Sequence, residues 1–551
     1  MVRALLSVVG TEVRGLHQAA YLLAFFALLS QILALLRDRL LAGTFGAGET
    51  LDLYYAAFRL PDLLFATVAS LLSLYALLPI IARLAPEDMH AFLERSLLVF
   101  FAAMGIIAAA AFAAAPYILS FILPGLAGDG LTELTRILLL QPILLGASNI
   151  VAALTQLKQR FLLYSLSPLL YNLGIILGIV VLYPYVGLRG LAWGVVVGAA
   201  FHLLIQLPFW GGGGRSRMSW RDTIAGLGEV LKLSVPRTLA LAAGQISLLI
   251  LVALASLMEK GSIAVFMFAF NLQAVPLAII GVSYSVAAFP TLSRLHAAGE
   301  WHEFARHIET ALRHVLFWSV PVIVFVIVLR AQLVRAILGT GMFEWPETRL
   351  VAAALALFIV SLAAQSITLL VSRGYYAAGD TAKPLIFGAL SVVVAVGSGL
   401  MLMRLFAEWD LWRLFLEEML RVDGIAGTPI LMLALAYCLG ALAQAFAGLY
   451  FFTRDFGIAR RPLFGLFFES FSAGVIGGAA AYAVLAATGG AINIDTVAGI
   501  VLQGLAAGLV GGMVTIATLG LLKNKELFEA YAAIHRRVAP PAVVIEPTDV
   551  S

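Results

Sequence analysis

The chain alternates long apolar runs with short polar breaks from near its first residues to near its last. A membrane-spanning helix needs about 20 consecutive apolar residues. Runs of that kind lie near 18–44, 51–83, 93–123, 133–157, 161–183, 188–210, 230–258, 262–294, 309–330, 350–373, 384–406, 427–453, 464–487 and 496–522. The pattern predicts an all-α integral membrane protein with fourteen transmembrane helices. The runs 51–83 and 262–294 are longer than one span and contain Pro61 and Pro79, or Pro276 and Pro290. Each should be kinked or broken, because proline removes a helix hydrogen bond.

The breaks divide the chain. Gly211 to Gly214 are followed by Arg215, Arg217 and Arg221, which reads as a flexible, basic cytoplasmic linker over 211–229. Residues 1–210 then form an N-terminal six-helix half and 230–453 a C-terminal six-helix half. Two extra helices occupy 454–522, and 523–551 is a cytoplasmic tail with no fixed structure expected. An internal repeat supports this division: Ala57-Phe58-Arg59-Leu60 recurs as Ala269-Phe270-Asn271-Leu272, and Pro79 with Arg83 recurs as Pro290 with Arg294. With six helices each, the halves run in the same sense through the membrane. Two parallel six-helix repeats plus two C-terminal helices are a transporter arrangement, with the site between the halves. Residues 407–424 alternate charge with Trp409, Trp412 and Phe415 and read as an interfacial amphipathic helix. The segment Met1 to His17 reads as an amphipathic approach to the first span and not as a removable signal peptide.

Composition removes other classes. Of 551 residues, 62% are hydrophobic and 12% charged, and mean hydropathy is +1.00. A soluble fold lacks the interior to bury that much apolar side chain. The net charge of +4 comes without a basic patch interleaved with aromatics, so no nucleic acid partner is expected. With the N-terminus inside, 22 Lys and Arg fall on the cytoplasmic side and 9 outside, which places both termini in the cytoplasm. A single cysteine, Cys438, excludes a disulfide framework and a multi-cysteine metal site. No phosphate-binding glycine loop, zinc-protease motif or nucleophile–base pair occurs, so the chain reads as neither an enzyme nor a metalloprotein.

Charges inside apolar runs are costly and therefore informative. The first run carries Arg37-Asp38-Arg39, either an interfacial cluster with snorkelling arginines or a cavity site. In the second run, Asp52, Tyr55, Arg59 and Asp62 are spaced to share one helical face, lining a cavity or forming an internal salt-bridge ladder. In the seventh, Arg237 lies inside the run with Gln245 on the same face. Asn271, Gln273, Gln365, Thr368 and Gln444 are either helix–helix contacts or ligand contacts. Three glycine pairs spaced by four, Gly174/Gly178, Gly194/Gly198 and Gly504/Gly508, are close-packing signals.

The ordered series Arg37-Asp38, Phe45-Gly46-Ala47-Gly48, Asp52 and Ala57-Phe58-Arg59-Leu60-Pro61-Asp62-Leu63-Leu64 resembles the MurJ (MviN) family of lipid II flippases, within the multidrug/oligosaccharidyl-lipid/polysaccharide exporter superfamily. Further matches are Gln245-Ile246-Ser247, Phe289-Pro290 and Gly379-Asp380-Thr381 with Lys383-Pro384. The resemblance implies an alternating-access flippase that moves undecaprenyl-pyrophosphate-linked peptidoglycan precursor from the inner to the outer leaflet of the bacterial cytoplasmic membrane. It implies a cationic cavity with Arg37, Asp38, Asp52 and Arg59 in substrate-binding positions, Asn271 where the family carries arginine, and a lipid-tail groove formed by the last two helices. Arg237 is added from its position in the seventh run. No cofactor is expected; sodium, protons or membrane potential are the candidate driving forces. Expected partners are the lipid-linked glycan pyrophosphate, membrane lipids and the cell-wall synthesis machinery, with the chain itself a monomer. An alternative of the same fold is a related polysaccharide-lipid exporter or multidrug antiporter, and an alternative of another class is a non-transporting scaffold for wall synthesis.

Overall fold

The computed structural model describes residues 16–72, 74–210, 216, 218–457, 461–489 and 496–538. Among these every regular element is helical. Ten helices are long and apolar enough to cross a membrane, or eleven if Trp345–Ile359 and Leu362–Ala377 together make one broken span. All fourteen apolar runs fall on helix, several of them as joined pieces. The run expected over 51–83 is Glu49–Ala57, Arg59–Thr67, a short 3₁₀ turn Ala69–Leu72 and Leu74–Ile81. Pro61 has no N–H to offer the Ala57 carbonyl, so the helix is interrupted at Phe58 just before it. In the run over 262–294 a π turn, Ala278–Val282, joins Ser262–Leu277 to Ser283–Ala297 soon after Pro276, where the proline again breaks the bond ladder.

Two expectations change. The helix after the glycine stretch begins at Trp220, so residues 220–229 of the expected linker are helical. The reason is local. The Ser219 hydroxyl accepts from the Asp222 N–H at 3.1 Å, and the Asp222 carboxylate accepts from the Ser219 N–H at 3.0 Å, a reciprocal cap at the helix start. The Ser219 hydroxyl and N–H also hold the exposed Asp222 carboxyl below its ordinary pKa. The tail after Lys523 is not structureless, since Lys525–Val538 is a helix. Its Glu526 is buried in an ion pair with Arg313. Residues 1–15, 211–215, 217 and 539–551, parts of the expected N-terminal segment, linker and tail, lie outside the described residues. The amphipathic helix expected over 407–424 is Asp410–Leu420; it buries Leu416 and Leu420 and exposes Leu411, Leu414 and Phe415.

The chain forms two compact units. The larger comprises Met1–Val275, Val334–Ala364 and Gly379–Gly448; the smaller comprises Pro276–Leu333, Gln365–Ala378 and Leu449–Ser551. In the larger unit, an edge-to-face aromatic group of Phe266, Phe270, Phe358 and Tyr437 has ring centroids 5.0–5.9 Å apart. Such pairs add to simple burial, and here they fix the helix that carries Asn271. In the smaller unit Phe304, Phe452 and Phe456 pack together with Tyr375, whose hydroxyl donates to Asp455 at 2.7 Å.

In a bilayer, helices attract one another by close backbone packing more than by hydrophobic force. The first two glycine pairs do this against each other. A Cβ on Gly178 would sit 2.6 Å from the Gly194 Cα, and one on Gly174 would overlap Gly198. The helices Phe161–Leu177 and Leu188–Leu204 therefore meet backbone to backbone. The third pair, Gly504/Gly508, meets only the Gln332 and Leu329 side chains at 3.4 and 3.6 Å. The close approach in the smaller unit is made instead by Gly477 and Gly511, where a Cβ on either would press on the other's carbonyl. Gly178→Val should destabilise the detergent-solubilised chain by about 1–3 kcal/mol, read as a clear fall in thermal midpoint by size-exclusion after heating. Gly504→Ala should leave the midpoint where it is; an equal fall in both would remove the backbone-contact account.

Candidate functional site

The helix Leu16–Phe45 carries Arg37, Asp38 and Arg39 well inside its length. Successive residues point about 100° apart around a helix, so the two arginines on either side of Asp38 reach different partners. Arg37 and Asp38 pair with each other at 2.8 Å. The Arg37 Nη1 also donates to the Asn172 side-chain oxygen at 3.2 Å. The Asn172 amide donates in turn to the Ser30 hydroxyl at 3.2 Å and to the Pro168 carbonyl at 3.1 Å. Asp38, only 2% exposed, accepts on its other oxygen from the Asn271 amide at 3.1 Å. A chain of polar contacts thus runs Ser30, Asn172, Arg37, Asp38, Asn271 through otherwise apolar helix packing. Arg39 turns away and donates to the Ala336 and Ile337 carbonyls at 2.7 and 3.1 Å, covering the unsatisfied end of another helix. Its role is structural.

The second run divides its charges as well. Asp52, Tyr55, Arg59 and Asp62, expected on one face, do not share one set of partners. Arg59, 5% exposed, donates its Nε to the Tyr55 carbonyl at 3.1 Å and lies 3.8 Å from the Asp62 carboxylate. The Gln141 side chain lies near the Asp62 carboxylate. Tyr55 stands within electrostatic reach of Arg37, Asp38 and Arg59, joining this cluster to the first. Two buried polar atoms here, the Arg59 Nη1 and the Tyr55 hydroxyl, have no hydrogen-bond partner among the described residues. A buried, unmet guanidinium donor is costly. Both atoms belong to residues of the same charged cluster, since the Arg59 Nε bonds the Tyr55 carbonyl.

Asp52 lies apart from these groups. It is 3% exposed, and its two oxygens accept from the backbone N–H groups of Gly261 at 2.5 Å and Ala264 at 2.8 Å. It therefore caps the start of the helix Ser262–Leu277 from a segment more than 200 residues away. Gly261 makes this possible: its φ is +91° and a Cβ there would run into the Ala47 carbonyl, so only glycine fits. Beside it Lys260 pairs with Glu49 at 2.6 Å.

The sequence-predicted residues are thus placed as follows. Arg37, Asp38 and Asn271 are brought together, Arg59 lies beside them through Tyr55, and Asp52 belongs to a separate latch. Arg237 falls within the helix Trp220–Ala255, and its side chain lies outside the described residues. Sequence reading missed Asn172 and Gln141. Each is a lone amide in an apolar run, a signal that was present but that does not name its partner.

Removing the Asp52 carboxylate leaves two helix-start N–H groups unmet, and each charge-assisted bond is worth roughly 1.5–3 kcal/mol. In a Ser262→Cys background, Asp52→Ala should raise the rate of labelling by a membrane-impermeant maleimide at least about tenfold. The native Cys438 is buried and supplies little background. Unchanged labelling would show that Asp52 does not hold this helix in place.

Comparison with known proteins gives the same fold. The sequence profile of the family described as "Lipid II flippase MurJ" matches residues 41–411. The lipid II flippase MurJ of Burkholderia cenocepacia is 26% identical over 67% of this chain and 75% of its own. The probable lipid II flippase MurJ of Thermotoga maritima is 28% identical over 67% and 76%. A solved lipid II flippase MurJ in an inward closed conformation superposes with a TM-score of 0.71 at 19% identity, covering 92% of this chain and all of that one. An inward-facing multidrug transporter of the MATE family gives 0.63 at 16% identity, over 78% and 94%. The profile covers well over half of the sequence: this multi-pass membrane chain belongs to the lipid II flippase MurJ family.

Proposed function

We propose that this protein carries lipid II, the undecaprenyl-pyrophosphate-linked peptidoglycan precursor, from the inner to the outer leaflet of the cytoplasmic membrane, with both its termini in the cytoplasm. The observation that carries the reading is the paired cluster of Arg37 and Arg59 with its unmet donors, the Arg59 Nη1 and the Tyr55 hydroxyl. A pyrophosphate presents several acceptor oxygens, and the planar guanidinium meets phosphate in two-pronged, charge-assisted bonds. An apolar drug would leave those donors unmet, which favours the phosphate cargo over the multidrug alternative.

Asp38 and Asp62 balance the charge of the arginines and orient them when no cargo is bound. Asp52, with Gly261 and Ala264, is the latch: opening the segment around 257–264 requires its two bonds to break, so cargo binding must supply a comparable free energy to the open state. The differential interaction of the pyrophosphate with Arg37 and Arg59 is the source.

The test is growth of cells depleted of their own lipid II flippase. The expressed chain should restore growth, and Arg37→Ala and Arg59→Ala should each lose it while reaching the membrane in normal amounts. Failure of well-expressed unmutated chain to rescue would overturn the lipid II cargo. Rescue by both variants would overturn the phosphate site.

A further inference from the structure

The helix Pro86–Ile122 contains Pro116. Proline has no N–H, so the Phe112 carbonyl, four residues earlier, loses its helix partner. In hydrocarbon such a group must be met from elsewhere, and the Arg136 Nε donates to it at 3.0 Å. The same guanidinium lies over the Phe112 ring, 4.6 Å from its centroid. Arg136 is thereby fixed at the mouth of an open cleft of about 880 Å³, lined by the helices Pro86–Ile122, Asp129–Leu138, Leu140–Leu157 and Leu188–Leu204, all within the larger unit.

The cleft has a polar end and an apolar end. Asp129, Thr132, Glu133 and Arg136 line one end; Gly105, Ala108, Leu140 and Ile143 line the other. From Asp129 to Ile143 the helical rise is roughly 21 Å, enough for one leaflet of hydrocarbon, about 15 Å, together with its interface. Trp193, half exposed at the side of the cleft, suits that interface. The volume is in the range of about 300–1,000 Å³ typical of sites for small ligands.

The charges select the occupant. The terminal nitrogens of Arg136 have no protein acceptor among the described residues, and Asp129 has no partner there. Glu133 pairs with Arg189 at 2.7 Å and stands three residues, about one turn, before Arg136. An arginine donor with one carboxylate a turn away, Glu133, and a second about two turns away, Asp129, complements a phosphate and an ammonium joined by a two-carbon spacer. An anionic lipid without the ammonium would leave the Asp129 carboxylate without a counter-charge. A quaternary ammonium could not donate hydrogen bonds to the carboxylates.

We propose that the cleft lined by Gly105, Phe112, Asp129, Glu133, Arg136 and Trp193 binds one phospholipid with an ethanolamine head group. Its phosphate lies on Arg136, its ammonium on Glu133 and Asp129, and an acyl chain runs past Gly105. The site is distinct from the Arg37 and Arg59 cluster, and the proposal does not depend on which cargo the protein carries.

The test uses the full chain purified from mixed micelles containing equal phosphatidylethanolamine, phosphatidylglycerol and phosphatidylcholine, with retained lipid read by native mass spectrometry. One phosphatidylethanolamine should be retained about tenfold over each of the others, the discrimination of one charge-assisted bond. Glu133→Gln should reduce that preference over phosphatidylglycerol. Gly105→Leu should abolish retention without unfolding the chain, since a Cβ at Gly105 has no atom within 4 Å. Retention of phosphatidylglycerol equal to phosphatidylethanolamine, absence of any retained lipid, or full retention in Gly105→Leu would each overturn the proposal.

Discussion

Hydrocarbon offers no hydrogen bonds, so every charge and every free backbone group inside these helices has to be met by the protein or by what the protein binds. The internal polar contacts follow from that constraint. Arg39 serves two carbonyls at a helix end, Arg136 serves the carbonyl that Pro116 leaves open, and Asp52 serves two N–H groups at a helix start. Each of these three ionised side chains is bonded to backbone. Among the buried side-chain atoms that have no hydrogen-bond partner among the described residues, the Arg59 Nη1 and the Tyr55 hydroxyl are the two that lie within the Arg37 and Arg59 cluster.

The fold was largely legible because the same constraint acts on composition. A spanning helix must be apolar over its whole length, so the runs could be read directly, and Pro61 and Pro276 marked where two of them break. Close packing was legible in kind but not in place. Three glycine pairs had the same spacing, and only two pack backbone to backbone, because the partner helix cannot be read from the pair itself. The tail helix Lys525–Val538 was missed for a related reason. Its charges looked solvated, yet Glu526 is buried against Arg313, more than 200 residues earlier.

The site was legible as residue types and not as connections. Arg37 and Arg39 are equivalent in sequence, both basic and both beside Asp38, but one meets Asn172 and the other a helix end. Asp52 and Asp62 looked alike on one stripe, but ten residues of helix, about 15 Å, separate them and they meet different partners. These outcomes depend on contacts 135 to almost 300 residues apart in sequence, which local spacing cannot encode.

The arrangement also bears on how a site with so few arginines could hold a pyrophosphate. At rest Arg37 is matched by Asp38 and Arg59 by Asp62, so the cluster is close to neutral, and Asn271 adds no charge. In the proposed site, a phosphate bound by Arg37 and Arg59 would compete with each carboxylate for its arginine. Each carboxylate, however, already has an amide beside it: Asn271 donates to Asp38, and the Gln141 side chain lies near Asp62. When the arginines turn to phosphate, those amides keep the displaced carboxylates from being left bare in a low-dielectric interior, which is the main cost of breaking a buried ion pair. An arginine at position 271 would instead hold Asp38 more tightly. Neutral amides permit the exchange, and on this reading the shortage of positive charge is compensated by the ease with which the two arginines change partners.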